Sequence, residues 1–253
     1  MKQQMRHIHT AKKTWIVFLL VTCLMLFFTL PVQAITLPQE DLDLTGQTVI
    51  LHTNDTHGRA ADNMGFAAVA ALKEAYEKTG ATVLLLDAGD TLHGKPIFNL
   101  TQGENAVKLL NAVGYDAMVL GNHDFNYGLP RLQELAQEMH FPLLAANVTQ
   151  KKSGELFCGD HVVLEKDGRK YGIFGLTTPE TAYKSNPLQV AELDFGDPIA
   201  SAQKEVAALQ EAGADYIIAL CHIGMDSATE SPYTEIAAAV PEIDVLIDGH
   251  SHT

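Results

Sequence analysis

Basic residues are scarce in this chain of 253 residues: lysine and arginine number 17 together, against 31 aspartates and glutamates, and the formal net charge is −14. This balance argues against a nucleic-acid polymer or an acidic membrane surface as the main partner, because both are polyanions. A small anionic substrate is still permitted, since bound divalent cations reverse the local field. Acidic residues and histidines are also the ligands that such cations need.

Cysteine is rare as well, with three in the whole chain. Cys23 lies in an N-terminal apolar run, which leaves Cys158 and Cys221. Two cysteines do not make a disulfide framework, so we expect both to pack against neighbouring side chains. The sequence also lacks internal repeats and low-complexity tracts, and its 47% hydrophobic content is enough for a sizeable core. These features favour one globular domain.

The first 34 residues are typical of a secretory signal peptide. Basic residues at positions 2, 6, 12 and 13 precede an apolar run over residues 15–30, and small side chains follow at Val32 and Ala34. The run is shorter than the ~20 residues of a spanning helix, so we expect cleavage after Ala34; a retained membrane anchor is the alternative. The chain is therefore predicted to be exported to a periplasm, a cell surface or the medium, with no membrane span after cleavage. Residues 35–46 are predicted to form a linker.

From residue 47 onward, short apolar runs alternate with amphipathic stretches, which is the pattern of an α/β domain with buried strands. The predicted strands are 48–52, 82–87, 117–120, 142–146, 216–220 and 245–247. The predicted helices are 66–78, 104–113, 129–139, 199–212 and 236–239. Asp167-Gly168 separates two further apolar runs, at 161–165 and 170–175, and predicts a β-hairpin. We therefore predict one α/β domain over residues 47–253.

Five polar clusters each follow an apolar strand. They are Asn54-Asp55-Thr56-His57-Gly58, Gly89-Asp90, Gly121-Asn122-His123-Asp124, His222-Ile223-Gly224 and Gly249-His250-Ser251-His252. Ligands bind at the carboxyl ends of strands in α/β sheets, so these distant clusters are expected to converge. Asp, Asn and His supply oxygen and imidazole ligands that suit Zn, Mn, Fe or Co. Each cluster alone could be an ordinary loop, but the five together predict a metal site.

The ordered set resembles the calcineurin-type metallophosphoesterases, and specifically the N-terminal catalytic domain of the 5′-nucleotidase family, which includes 2′,3′-cyclic-nucleotide phosphodiesterases. Two longer phrases carry the same resemblance: Asp87-Ala-Gly-Asp90-Thr-Leu-His-Gly94 and Gly121-Asn-His-Asp-Phe-Asn-Tyr-Gly128. The resemblance spans residues 47–253 and implies layered β-sheets flanked by helices, with the metal site at the C-terminal ends of the strands. It also implies hydrolysis of nucleotides by a metal-activated hydroxide that attacks phosphorus.

The resemblance further implies a role for each polar residue. Two divalent ions would be held by seven side chains: Asp55, His57 and His252 on one ion, Asn122, His222 and His250 on the other, and Asp90 on both. Asn122 and His123 would lie at the substrate, and His123 would stabilise the transition state and protonate the leaving alkoxide. Asn126 stands where many 5′-nucleotidases carry a carboxylate that orients this histidine. Together with Gly-His-Ser-His at 249–252, in place of Gly-His-Ser-Gln, it looks more like the cyclic-phosphodiesterase branch. The alternative is a purely structural Asn126 at the Tyr127-Gly128 turn.

The family's C-terminal domain, which supplies an aromatic sandwich for the base and arginines for the phosphate or ribose, is absent from the sequence. The chain also stops at Thr253, directly after a buried-looking strand, so we predict a truncated catalytic domain. Two alternatives to a nucleotide hydrolase follow: a relative acting on nucleotide sugars or other phosphoesters, and an inactive, truncated metal-binding surface protein. His93 could touch substrate, but a supporting or solvent-facing position is favoured, so it is not part of the predicted site.

Overall fold

The described residues of the computed structural model are 38, 42–62, 64–225 and 233–252. The predicted signal peptide lies outside these ranges, as do residues 35–37 and 39–41 of the predicted linker. Within the described ranges, no helix combines the length and the apolar character that a bilayer span requires.

The first of two central sheets is parallel. Its strands, in order across the sheet, are β1 (Thr48–Thr53), β2 (Thr82–Asp87), β3 (Ala117–Val119) and β4 (Leu143–Leu144). Every side chain of β2 is buried, as expected for an unbroken apolar run that is covered on both faces. The strand predicted over residues 142–146 is present but shorter. The backbone amides of Ala145 and Ala146 donate to the carbonyls of Gly159 and Gly175 and not to β3.

The second sheet is mixed. Its strands, in order across the sheet, are β10 (Val245–Ile247), β9 (Tyr216–His222), β7 (Arg169–Thr177) and β6 (His161–Lys166). The strands β6 and β7 are antiparallel, and both residues of the turn between them, Asp167 and Gly168, have positive φ. This confirms the predicted hairpin, since a two-residue turn of this kind requires positive φ at both positions. The strand β9 runs through His222, two residues beyond its predicted end.

Seven α-helices lie in the described ranges: α1 (Gly65–Lys78), α2 (Pro96–Asn99), α3 (Glu104–Val113), α4 (Leu129–Glu138), α5 (Thr181–Lys184), α6 (Pro198–Glu211) and α7 (Tyr233–Ala239). The five predicted helices are confirmed to within three residues at each end. Gly114 ends α3 in the left-handed conformation, and the Asp197 side chain accepts hydrogen bonds from two backbone amides at the start of α6. The short α2 and α5 were not predicted, and neither was the 3₁₀ helix over Asn122–Tyr127.

Three hydrophobic clusters show how the layers are arranged. One joins the two sheets face to face and includes Leu84, Leu86, Val119, Ile173 and Leu220. A second packs the outer face of the first sheet on α1, α3 and α4, and a third packs the outer face of the second sheet on α6 and α7. The result is a layered α/β fold with two sheets flanked by helices, as predicted. A small antiparallel pair, β5 (Val148–Gln150) and β8 (Leu193–Phe195), was not predicted.

Candidate metal centre

The predicted ligands meet where β1, β2, β3, β9 and β10 end. Asp55, Asp90, Asn122 and His222 are buried, at 5, 2, 2 and 0% exposure. His252 lies at the rim, with 51% of its side chain exposed. Polar side chains are seldom buried together in this number unless they bind one another or a cation. The convergence expected from the strand-end pattern is therefore present in the structure.

The first group consists of Asp55, His57 and His252, whose ligand atoms all lie within 4.8 Å of one another. The two imidazoles approach to 3.2 Å between their Nε2 atoms, and His252 Nε2 lies 3.3 Å from Asp55 Oδ1. These are the three residues that the resemblance assigns to one ion. A carboxylate with two imidazoles is a common ligand set for a divalent transition metal.

The second group consists of Asp55, Asp90 and His222, again with ligand atoms within 4.8 Å of one another. The Oδ2 atom of Asp90 lies 3.3 Å from His222 Nε2 and 3.8 Å from His57 Nε2. It thus faces one histidine from each predicted ion site, which is the position that a bridging carboxylate needs.

Two buried atoms at this point make no hydrogen bond to the described residues: Asn122 Oδ1, and His222 Nε2, which instead forms an ion pair with Asp90 Oδ2 at 3.3 Å. The other ring nitrogen of His222 bonds to the carbonyl of Ala88 at 2.6 Å, so its Nε2 is the atom directed into the site. A buried polar atom without a partner costs about 1–3 kcal/mol. A cation would bind both atoms, and the residues present therefore fit the implied ion.

The protonation of His222 is a second indication that a cation binds beside this side chain. Burial opposes protonation, but the carboxylate of Asp90 beside it raises the pKa of His222 to about 10. A divalent cation that enters between these two side chains competes with that proton, so binding of the ion is expected to release a proton.

His250 occupies a different position from the other ligands. Its Nε2 lies 3.0 Å from Glu180 Oε2 and 3.1 Å from Lys184 Nζ, and its ring lies 5.2 Å from that of His222. Only Nδ1 is then left for the predicted ion, and His250 does not fall within either close group of ligand atoms. Glu180 and Lys184 belong to the segment at α5 and were not predicted. A carboxylate on the far nitrogen of a ligating histidine fixes its tautomer and orientation.

The backbone of the site is strained. The non-glycine residues with positive φ in the described ranges are Asp55, His57, Asp90, Gln102, Asp167, His250 and His252. Five of these seven are predicted metal ligands. The left-handed region costs roughly 1–2 kcal/mol for a non-glycine residue and is concentrated at functional sites. This conformational cost accompanies the convergence of the five side chains at one place.

Asp124 holds two of the loops together. Its carboxylate accepts hydrogen bonds of 2.8–3.0 Å from the backbone amides of Asp90, Thr91, Leu92 and Gly121. Burial and the neighbouring Asp90 raise the pKa of this carboxyl. Asp124 thus ties the loop after β2 to the loop after β3, a role that the sequence did not indicate.

We expect Asp124→Ala to lower the free energy of unfolding by about 3–4 kcal/mol, because four buried N–H groups lose their acceptor and each unpaired donor costs about 1–3 kcal/mol before water enters. Urea unfolding of the metal-free chain, followed by circular dichroism, measures the change. Asp194→Ala, at an exposed position of β8, is the matched control. A loss of less than about 1 kcal/mol for Asp124→Ala would contradict this account.

His123 and Asn126 lie beside the two groups. The backbone amide of His123 donates to Asp90 Oδ1 at 2.7 Å, and its ring lies 5.2 Å from that of His57. Asn126 Nδ2 is 3.0 Å from His123 Nδ1 and also 3.2 Å from His93 Nδ1. The sequence predicts a supporting or solvent-facing position for His93, and the structure places it within hydrogen-bond distance of Asn126.

A further group, Asp160, His161 and Glu205, lies elsewhere, at β6 and α6. The Nδ1 atom of His161 is 2.6 Å from Glu205 Oε2, and Lys204 Nζ is 3.0 Å from Glu205 Oε1. An ammonium group on the same carboxylate is typical of a structural ion-pair network.

Comparison with known proteins shows the family of the chain. The family model described as Calcineurin-like phosphoesterase matches residues 48–253. The chain is 36% identical over 229 residues to the 5′-nucleotidase of Vibrio cholerae serotype O1, covering 84% of this chain and 41% of that protein. It is 34% identical over 225 residues to Protein UshA of Escherichia coli K12, covering 83% of this chain and 41% of that protein.

Two solved structures are also similar. The NAD nucleotidase of Haemophilus influenzae superimposes with a TM-score of 0.69 at 32% identity, over 80% of this chain and 38% of that one. The calcineurin-like phosphoesterase YfkN of Bacillus subtilis superimposes with a TM-score of 0.72 at 27% identity, over 81% of this chain and 72% of that one. The chain spans about two fifths of the length of the curated relatives it matches.

Proposed function

This chain belongs to the calcineurin-like phosphoesterase family, and on that premise we propose that it is a metal-dependent hydrolase of nucleotide phosphoesters. The observation that carries the proposal is the convergence of two ligand groups that share Asp55, with Asp90 Oδ2 facing a histidine of each. The unpartnered Asn122 Oδ1 supports an ion on the side of His222.

In this proposal the site holds two divalent ions, drawn from Zn, Mn, Fe and Co. One would be held by Asp55, His57 and His252, the other by Asn122, His222 and the Nδ1 atom of His250, and Asp90 would contribute to both. When bound, the ions supply Lewis acidity toward water and the phosphoryl group. Glu180 keeps the ring of His250 turned so that Nδ1 faces inward.

His123 carries the proton chemistry of the proposed reaction. The amide nitrogen of Asn126 donates to His123 Nδ1, so the proton of the neutral ring resides on Nε2. Proton transfer needs the imidazolium form, in which Nδ1 is protonated as well and the Asn126 amide turns its oxygen toward it. This ring gives its Nε2 proton to the oxygen of the leaving group, which would otherwise depart as an alkoxide, and is left as a neutral imidazole. The backbone bond from His123 to Asp90 Oδ1 keeps this imidazole next to the ion ligands.

The proposed substrates are nucleotides, because similar curated relatives are named as 5′-nucleotidases. Asn126, in place of a carboxylate, favours 2′,3′-cyclic nucleotides among them. Nucleotide sugars or other phosphoesters are the alternative substrates. A metal-binding protein that catalyses no reaction is the alternative that is not an enzyme.

We further propose that residues 1–34 direct export, that 35–46 are a linker and that 47–253 form the catalytic domain.

We expect the purified chain to hydrolyse 5′-AMP, 2′,3′-cyclic AMP or a chromogenic phosphoester when Mn²⁺ or Zn²⁺ is added. Removing the ions with EDTA should abolish turnover, and adding them back should restore it, since the protein alone offers no Lewis acid. Comparison of kcat/KM across the three substrates shows whether nucleotides or other phosphoesters are preferred. Tight metal binding without turnover of any substrate would contradict the proposed activity and favour the non-enzymatic alternative.

A further inference from the structure

One amide group contacts two imidazoles in this site. The Nδ2 atom of Asn126 lies 3.0 Å from His123 Nδ1 and 3.2 Å from His93 Nδ1. The two rings are nearly parallel, with 12° between their planes and 6.1 Å between their centroids. An amide nitrogen carries two hydrogens, so it donates to both ring nitrogens at once.

This contact fixes where each imidazole carries its proton. Because Nδ1 of both rings accepts from Asn126, the proton of each neutral ring lies on Nε2. Burial lowers the pKa of His93, which favours its neutral form. His93 and His123 are both partly exposed residues.

The position of His93 is well defined by its neighbours. Its ring packs at 5.3 Å from the ring of Tyr127, whose hydroxyl donates to Asn99 Oδ1 at 2.7 Å. The next residue, Gly94, donates from its amide to the same oxygen at 2.8 Å. Gly94 also lies against the backbone of His57, where a Cβ atom would come within 1.8 Å of the carbonyl oxygen. His93 is therefore held between the metal-site loop and α2, in the manner of a preorganised group.

We propose that His93 is a second substrate-binding imidazole, aligned with His123 by Asn126, and that its Nε2–H donates a hydrogen bond to an oxygen on the leaving-group side of the substrate. His93 contacts His123 and Asn126, the pair that handles the leaving-group proton, and for a nucleotide the oxygens on that side are those of the ribose. The inference rests on the proposed function, because it assumes that a phosphoester binds at this site.

Three substitutions of the full chain separate a binding role from a packing role. His93→Ala removes the ring, His93→Phe keeps a ring against His123 and Tyr127 but removes the donor, and His93→Gln keeps an N–H donor. We expect kcat/KM for the best nucleotide substrate to fall about 10-fold in His93→Ala and His93→Phe, mainly through KM, because each variant loses one hydrogen bond to a neutral ribose oxygen. His93→Gln should recover part of this loss. His140→Ala, at an exposed histidine, is the matched control.

Two measurements do not depend on turnover. Isothermal titration with a non-hydrolysable adenosine phosphonate should give about 10-fold weaker binding for His93→Phe than for the parent chain, with metal content unchanged. In the metal-free protein, ¹⁵N shifts of the imidazoles should report the Nε2–H tautomer for His93 and His123, and Asn126→Ala should disturb both. Parent-like binding and kcat/KM in His93→Phe would overturn the inference. A parent chain that binds the phosphonate without turning over any substrate would contradict the proposed function, while the His93→Phe titration would still decide the role of His93.

Discussion

Asp90→Asn is expected to remove both divalent ions from the chain and to lower kcat/KM by at least about 1000-fold. The reason is the position of one oxygen atom, since Asp90 Oδ2 faces His57 and His222, one from each proposed ion site. Asparagine has nearly the same shape, but it carries no charge and replaces one carboxylate oxygen with an N–H donor. Loss of a shared ligand weakens both sites, and catalysis that depends on paired ions is lost with them.

Elemental analysis after dialysis measures the first part of this prediction. We expect about two ions per parent chain, about one in His252→Ala, which removes a ligand of a single proposed site, and essentially none in Asp90→Asn. Asp194→Asn, at an exposed position of β8, should behave as the parent chain does. If Asp90→Asn retained one ion as firmly as the parent chain, Asp90 would not be a ligand shared by the two sites.

The elements of the fold could be predicted because the signals that define them are local. An unbroken apolar run such as residues 83–86 is recognisable as a buried strand without knowledge of its neighbours. Gly114 at a helix end and Asp167-Gly168 at a turn are equally local. The two sheets could not be told apart in this way, since buried strands carry the same apolar pattern in either sheet. Their face-to-face packing depends on contacts between distant segments, such as Leu84 with Ile173 in one cluster.

The ligand positions were predictable for a related reason. The carboxyl ends of strands are where ligands bind, so polar residues at five such ends were expected to meet. The side chains that contact the ligands and His123 from outside could not be predicted from strand ends. Glu180 contacts His250 across 70 positions of sequence, and His93 meets Asn126 across 33. Each pair depends on how a loop folds, and a single Glu or His in a loop has no distinguishing pattern.

The positive φ angles of the ligands also escaped prediction. Asp and His are enriched among the few non-glycine residues in the left-handed region, but most of them lie elsewhere, so their presence alone does not predict a positive φ. At Asp55, His57 and Asp90 the strain is supported by bonds that the chain makes elsewhere: the amide of Asp55 bonds to the Gly89 carbonyl at 2.9 Å, and that of His57 to the Asp90 carbonyl at 3.0 Å. Local preference was therefore overruled by the network that connects the loops.

His123→Ala is expected to lower kcat for nucleotides by about 1000-fold while leaving both ions bound. General acid catalysis by a positioned side chain typically contributes 10²- to 10⁴-fold. The side chain is not a proposed ion ligand, and the contact between His123 and Asp90 is made by the backbone amide, which alanine retains. Asn126 would lose one of its two imidazole partners in this variant and keep the other.

The role assigned to His123 is tested more sharply by comparing two substrates than by the size of the loss in kcat on one of them. A nucleoside leaves as an alkoxide and needs a proton, whereas a nitrophenolate leaves without one. His123→Ala should therefore impair hydrolysis of 5′-AMP or 2′,3′-cyclic AMP much more than hydrolysis of a nitrophenyl phosphoester. An equal loss on both substrates, with the ions retained, would indicate that His123 stabilises charge on the phosphoryl oxygens rather than protonating the leaving group. Loss of metal in His123→Ala would show instead that its ring, 5.2 Å from that of His57, supports the ion ligands themselves.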